Sequence, residues 1–151
     1  MGASALYIDS AVPEDTQQLA ALLERAGLPA RFIEEHVADF IVLRADGMLM
    51  GCVGLEIYAD SCLLRSLVVA EELRGRGWGA ALVKALIARA RDRDKELSEI
   101  VLLTSTAADL FRRFGFVEVP RDQVNPAIRS SWEFAEEACS SALCMRLKLH
   151  P

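Results

Sequence analysis

The chain has 151 residues, 52% apolar and 26% charged, with a formal net charge of -5 and a pI near 5.1. That length suits one globular domain with its own core, and that composition excludes a disordered chain. The acidic balance excludes the broad positive field by which nucleic-acid binders attract phosphate, so any anion site must be local.

No stretch reaches the ~18 uninterrupted apolar residues of a membrane span, and the opening "MGASALYIDS" lacks the basic and apolar regions of a signal peptide. A cytoplasmic protein is expected, with no membrane and no nucleic acid among its partners. Cys52, Cys62, Cys139 and Cys144 are irregularly spaced, and the chain has two histidines, so no metal site is expected. In a reducing compartment such thiols behave as small buried apolar groups.

In chain order, "ALYID" at 5–9 alternates as a strand. A helix follows, with Pro13 and the acids Glu14 and Asp15 at its start, Leu19, Leu22 and Leu23 at helical spacing, and Gly27 as its stop. Residues 30–38 predict a second, short helix carrying His36. Residues 39–69 read as a three-stranded antiparallel meander, turning at Asp46-Gly47 and again near Ala59-Asp60-Ser61. A two-residue turn at Asp60-Ser61 would set Glu56 opposite Arg65, and the third strand is apolar on both faces apart from Arg65 and Ser66.

The stretch "LRGRGWGAAL" at 73–82 precedes a helix in which Leu82, Val83, Leu86, Ile87 and Ala90 keep helical periodicity. "EIVLLTST" then predicts a strand, "AADLFRRFGF" a helix stopped by Gly115, Phe116–Val119 a strand, 126–138 a helix and 142–149 a final strand. The clustered Arg89, Arg91 and Arg93, interleaved with Asp92 and Asp94, are a solvated helix end.

Glycine weakens a helix by ~1 kcal/mol relative to alanine, so Gly75, Gly77 and Gly79 at a helix start point to a need for exposed backbone. A strand, a glycine turn and a helix N-terminus together form an anion site: the first-turn N–H groups are unpaired and carry partial positive charge. Arg74 and Arg76 add charge at its rim. A nucleotide-triphosphate loop requires GxxxxGK[ST], and no Lys-Ser or Lys-Thr is present. Residues 75–80 satisfy GxGxxA, but Ala70–Arg74 separate them from the strand, and the following strand ends only near Thr104, too far on for a dinucleotide fold.

The whole stretch "LRSLVVAEELRGRGWGAALVKAL" resembles the acetyl-CoA-binding motif of the GNAT acetyltransferases, a strand and an acidic turn before [RQ]-x-x-G-x-[GA], with Arg74, Gly77 and Gly79 at the defining positions. "LLTSTAADLFRRFGF" resembles that family's second signature, and element order agrees from residue 5 to 149. The resemblance implies a single α/β (α+β) domain over 1–151 with the GNAT fold: a mixed six- to seven-stranded sheet, helices on both faces and a splayed central strand pair. "LLRSLVV", "LLTSTA", "AIRSSWEF" and "CSSALCM" are further similar to the small acetyltransferases associated with arsenic-resistance operons, which implies N-acetylation of an amino-acid-like toxicant.

Carried onto this chain, the resemblance assigns the acetyl-CoA pyrophosphate to the backbone of Arg74, Gly75, Arg76, Gly77, Trp78, Gly79 and Ala80, and the pantetheine arm to Leu67, Val68 and Val69. An N–H near Leu67 or Val68 would then donate to the thioester oxygen. Thr104 matches a pantetheine-binding position, and the tyrosine that often serves as general acid falls at Phe111, which cannot ionise. Ser105 and Thr106 are the nearby hydroxyls that could protonate the leaving thiolate; equally, residues 104–106 could simply cap the next helix. Glu56 is the candidate base, with a cross-strand ion pair to Arg65 as the structural alternative, and Arg65 is a candidate ligand for a substrate carboxylate. Cys139 and Cys144 also admit a thiol or arsenic-binding role, which packing explains more simply. The expected acceptor is a small-molecule amine, the alternatives being protein N-terminal or lysine acetylation and a non-catalytic acetyl-CoA sensor; a homodimer is the default symmetric assembly.

Overall fold

The structure, a computed structural model, describes residues 5–93, 97–135 and 141–150. Its strands β1 (Tyr7–Ser10), β2 (Phe40–Ala45), β3 (Met48–Tyr58), β4 (Ser61–Val69), β5 (Glu99–Thr104), β6 (Val117–Glu118) and β7 (Leu143–Lys148) form one seven-stranded sheet in the order β1-β2-β3-β4-β5-β7-β6. The sheet is mixed: β4 and β5 are parallel, and the neighbours β1/β2, β2/β3, β5/β7 and β6/β7 are antiparallel. Among the described residues, no helix is long and apolar enough to cross a membrane. The chain divides into two compact units, Met1–Leu55 with Arg65–Ala88, and Glu56–Leu64 with Arg89–Pro151.

The first unit begins with β1 (Tyr7–Ser10) and α1 (Thr16–Arg25), separated by a 3-10 turn at Pro13–Asp15. Asp15 does more than complement a helix start. Its Oδ2 accepts the Val12 N–H at 2.8 Å, and both its oxygens are clamped by Arg44 at 2.7 and 2.8 Å. Helix α1 buries Leu19, Leu22 and Leu23 and ends at Gly27, where φ is +74° and the next N–H, of Leu28, returns to the Leu23 carbonyl at 2.9 Å. A short α2 (Ile33–His36) follows. Strands β2 (Phe40–Ala45) and β3 (Met48–Tyr58) join through Asp46 and Gly47, both at positive φ, the two-residue hairpin expected of Asp-Gly. The core gathers Leu19, Leu23, Phe40, Val42, Cys52 and Val68, and Phe40 stands opposite Gly54, where a Cβ would strike its ring. Helix α3 (Trp78–Arg93) buries Leu82, Val83, Leu86 and Ile87, the predicted stripe.

The second unit holds the start of β4 (Ser61–Val69), β5 (Glu99–Thr104), α4 (Ala108–Arg113), β6 (Val117–Glu118), two short helices, α5 (Pro126–Arg129) and α6 (Trp132–Ala135), and β7 (Leu143–Lys148). Strand β4 pairs with β5 over Ser61–Leu63, and β5 pairs with β7 along its whole length. Leu63, Val101, Val119, Ile128 and Cys144 form the core.

Three boundaries differ from expectation. The helix expected over 126–138 is broken at Ser130-Ser131 into α5 and α6, since these hydroxyl residues compete with the helix ladder; 136–138 lie outside the described residues. Strand β6 keeps two residues, both exposed. The second hairpin turns at Ala59 and Asp60, with Ala59 at φ +59° and Ser61 already in β4, so the register that set Glu56 opposite Arg65 loses its premise. A two-residue loop there pairs positions summing to 119, which puts Leu63 across from Glu56.

Candidate functional site

Beyond Val69 the chain makes a 3-10 turn at Glu71–Leu73, where the Leu73 and Arg74 N–H groups return to Ala70 and Glu71. Arg74 then folds back and donates from Nε to the Val69 carbonyl at 3.1 Å, tying the loop to the strand it left. Gly75 and Gly77 follow with φ of +78° and +87°, a region closed to residues with a Cβ except at a cost.

Helix α3 then starts. Its earliest donor is the Ala81 N–H, given to the Gly77 carbonyl at 3.0 Å. None of the described hydrogen bonds uses the N–H of Gly75, Arg76, Gly77, Trp78, Gly79 or Ala80. Six successive amides therefore remain for an external acceptor at the positive end of a 16-residue helix, and the residues present fit a diphosphate. Gly75 and Gly77 are free of any heavy atom within 4 Å of where a Cβ would stand, and at Gly79 the nearest is Val69 Cγ2 at 3.9 Å. Packing therefore does not demand these glycines: the first two are required by backbone conformation, and the third by neither.

Upstream, β4 contains a feature that sequence reasoning missed. Ser66 sits at φ +62° inside the strand, a left-handed residue that makes a bulge and re-aims the backbone just before Leu67–Val69. Two contacts hold it: Cys52 Sγ donates to the Ser66 carbonyl at 3.2 Å, and Arg65 Nε donates to Ser66 Oγ at 2.9 Å. Past the bulge, the Ala70 N–H returns to the Met50 carbonyl at 2.7 Å. A cavity of about 410 Å³ lies against this segment, with Leu22, Leu49 and Val68 among its apolar lining and Arg25, Glu72 and Arg74 among its charged lining.

Arg65 is buried to 2% exposure. Besides Ser66, its guanidinium donates to the Arg31 carbonyl at 2.5 Å and the Pro29 carbonyl at 3.2 Å, and it lies over the Phe40 ring at 5.7 Å. These donors go to backbone carbonyls and a hydroxyl of its own unit.

Glu56 is fully buried. Its carboxylate accepts Trp132 Nε1–H at 2.9 Å on one oxygen and 3.2 Å on the other, together with the Tyr58 hydroxyl at 2.5 Å. A buried carboxylate survives only with such donors, which also fix its direction. Neither Trp132 nor Tyr58 was singled out from sequence; nothing in their spacing links them to Glu56.

Thr104 Oγ1 accepts the Ala107 N–H at 3.0 Å, so this hydroxyl does cap the turn ahead of α4, while Ser105 and Thr106 are exposed. Phe111 is buried and packs edge-on against Phe116, ring centroids 5.4 Å apart. His36 lies half-buried on α2. Cys52, Cys62 and Cys144 are buried thiols in no disulfide, and burial pushes the Cys52 thiol up to about 12 and raises that of Cys144. Cys139 lies outside the described residues.

A family model described as an acetyltransferase (GNAT) domain matches residues 36–118. An uncharacterised N-acetyltransferase of Chlorobaculum tepidum is 33% identical over 91 residues, covering 60% of this chain and 57% of that protein. An amino-acid acetyltransferase of Pseudomonas putida is 32% identical over 120 residues, covering 76% of this chain but 27% of that protein. Among solved structures, the N-acetylglutamate synthase of Neisseria gonorrhoeae, complexed with coenzyme A and N-acetyl-glutamate, shares the fold with a TM-score of 0.80 at 24% identity, over 97% of this chain and 36% of the other. The chain thus spans less than two thirds of the length of each of these three.

Proposed function

The chain belongs to the acetyltransferase (GNAT) domain family, and we propose that it moves an acetyl group from acetyl-CoA to the amine of a small, amino-acid-like acceptor. The observation that carries this reading is the run of unclaimed N–H groups from Gly75 to Ala80 at the start of α3, preceded by Arg74 and carrying Arg76 within it. They would take the diphosphate of acetyl-CoA. The pantetheine arm would then lie along the backbone of Leu67, Val68 and Val69, directly beyond the Ser66 bulge.

In this reading the acceptor amine attacks the thioester carbon in a ternary complex. A backbone N–H near Val68 donates to the carbonyl oxygen as it becomes an oxyanion, a contribution of a few kcal/mol when water is excluded. Glu56 takes the amine proton, directly or through a water, and the Trp132 and Tyr58 donors keep its carboxylate aimed. The tetrahedral intermediate collapses with cleavage of the C–S bond. The thiolate then takes its proton from water, directly or relayed by Ser105 or Thr106; a thiol with a pKa near ~8.5 leaves readily without the tyrosine that Phe111 replaces.

The similarity to amino-acid acetyltransferases supports an acceptor of that class, and the narrower resemblance to arsenic-associated relatives adds amino-acid-like toxicants to the compounds worth trying. Titration of acetyl-CoA by calorimetry, followed by coenzyme A release across a panel of amino acids, toxic amino-acid analogues and N-terminal peptides, tests the reading. Saturable heat and release dependent on one small amine are expected. Dependence on a peptide would make it a protein acetyltransferase, binding without turnover a sensor, and no heat at all would remove acetyl transfer from consideration.

A further inference from the structure

Successive side chains of a strand point to opposite faces, and the end of β4 is covered on both. Val68 packs with Leu19, Leu22 and Leu23 of α1, whereas Val69 Cγ2 lies 3.9 Å from where a Gly79 Cβ would stand. Helix α1 and the glycine start of α3 therefore flank opposite faces of one strand. The cavity of about 410 Å³ has Leu22 and Arg25 of α1 in its wall, which places it on the α1 face, behind the strand from α3. Direct transfer needs donor and acceptor bound at once. A diphosphate on the amides of Gly75–Ala80 and an acceptor in this cavity would approach β4 from its two sides and meet at the Val68 backbone.

The lining gives the cavity a definite chemistry. Leu22, Leu49 and Val68 are buried and apolar, while Arg25 and Arg74 bring two cations and Glu71 and Glu72 two carboxylates. Arg74 gives its Nε donor to the Val69 carbonyl, and among the described residues the Arg25 guanidinium has no partner. We infer that this cavity is the acceptor pocket, that the acceptor is an α-amino acid with one carboxylate and an apolar side chain, and that Arg25 is the specificity-determining residue that holds the carboxylate. The inference rests on the acetyl-transfer reading and deepens it. A guanidinium takes a carboxylate through two parallel N–H donors, and the apolar side chain covers Leu22, Leu49 and Val68. A second carboxylate on the acceptor would meet Glu71 and Glu72 and be repelled, which disfavours a dicarboxylic amino acid.

Steady-state acetylation of L-leucine, L-leucinamide and L-glutamate tests this, beside the melting temperature and the KM for acetyl-CoA. The wild type should have a higher kcat/KM for leucine than for glutamate. Arg25→Gln should raise the KM for leucine by about ten- to a hundred-fold, the worth of a hydrogen-bonded charge, with kcat nearly unchanged. The KM values for leucinamide, which has no carboxylate, and for acetyl-CoA should not move. Arg25→Lys keeps the charge at the end of α1 without the planar fork, so its loss should be smaller and again confined to leucine. Since Arg25 is exposed, the melting temperature of both variants should stay close to the wild type. A wild type that acetylates glutamate at least as well as leucine, an Arg25→Gln effect equal for leucine and leucinamide, or no turnover of any of the three despite acetyl-CoA binding overturns the inference. Absence of heat on acetyl-CoA titration instead overturns the reading beneath it.

Discussion

Trp132, 76 positions from Glu56 in the chain, donates its indole N–H to both oxygens of the Glu56 carboxylate, at 2.9 and 3.2 Å. Together with the Tyr58 hydroxyl it turns a fully buried acid into an oriented one. Glu56→Gln keeps the shape and removes the proposed base. It should lower kcat by roughly 10²- to 10⁴-fold and flatten the rise of rate with pH, with the Kd for acetyl-CoA unchanged by calorimetry. An unaltered pH profile would take the base role from Glu56.

Trp132→Phe removes a donor from that carboxylate and leaves it short of a partner. A loss of about 1.5–3 kcal/mol in urea unfolding is expected, the worth of a hydrogen bond to a charged group. Loss of less than ~0.5 kcal/mol would mean that the indole contributes nothing to holding the acid.

In the glycine turn proposed to hold the diphosphate, Gly75 and Gly77 are needed by the backbone, and Gly79 would be needed only by a ligand. Gly77→Ala forces a side chain to φ +87° and should cost about 1–2 kcal/mol of stability together with acetyl-CoA affinity. Gly79→Ala meets only Val69 Cγ2 at 3.9 Å and improves helix propensity by ~1 kcal/mol, so its melting temperature should rise while acetyl-CoA binding weakens. Undiminished affinity in the Gly79 variant would show that the ligand does not approach that residue.

Asp15 is held below the usual carboxylate range, chiefly by its hydrogen bonds with Arg44. A depressed folded-state pKa contributes stability that is complete above the unfolded value of ~3.9 and is lost as pH falls through the folded value. Asp15→Asn should therefore cost about 2–3 kcal/mol at pH 7, and its melting temperature should converge on that of the wild type as pH drops below ~4. A gap that stayed constant from pH 7 to 3 would contradict the ionic role.

Burial pushes the Cys52 thiol up to about 12, which leaves about one molecule in 10⁴ ionised at pH 8. Native protein should leave Cys52 unmodified by a disulfide reagent that labels it once the chain is unfolded. Cys144→Ser should retain turnover. Rapid native labelling of Cys52 would contradict its burial, and lost activity in the Cys144 variant would restore the thiol role considered for that residue.

The local features were legible in the sequence because short-range rules govern them. Asp46-Gly47 demanded a tight hairpin, Gly27 and Gly115 stopped their helices at positive φ, and the periodicity of Leu82, Val83, Leu86 and Ile87 declared the buried face of α3. The glycine turn before Trp78 announced an anion site by the same logic, since unpaired amides at a helix start follow from helix geometry alone.

What the sequence could not contain was the partner of each buried charge. Arg65 read as a cross-strand partner of Glu56 or a ligand for a substrate carboxylate, and only folding brought the carbonyls of Pro29 and Arg31 to it. Likewise Glu56 acquired Trp132 from a distant helix, and Ser66 became a bulge because Cys52 and Arg65 hold it there. Periodicity reports which face of an element is apolar, but a charge leaves water only where several donors or acceptors converge, and that convergence is a property of tertiary contacts between segments remote in the chain.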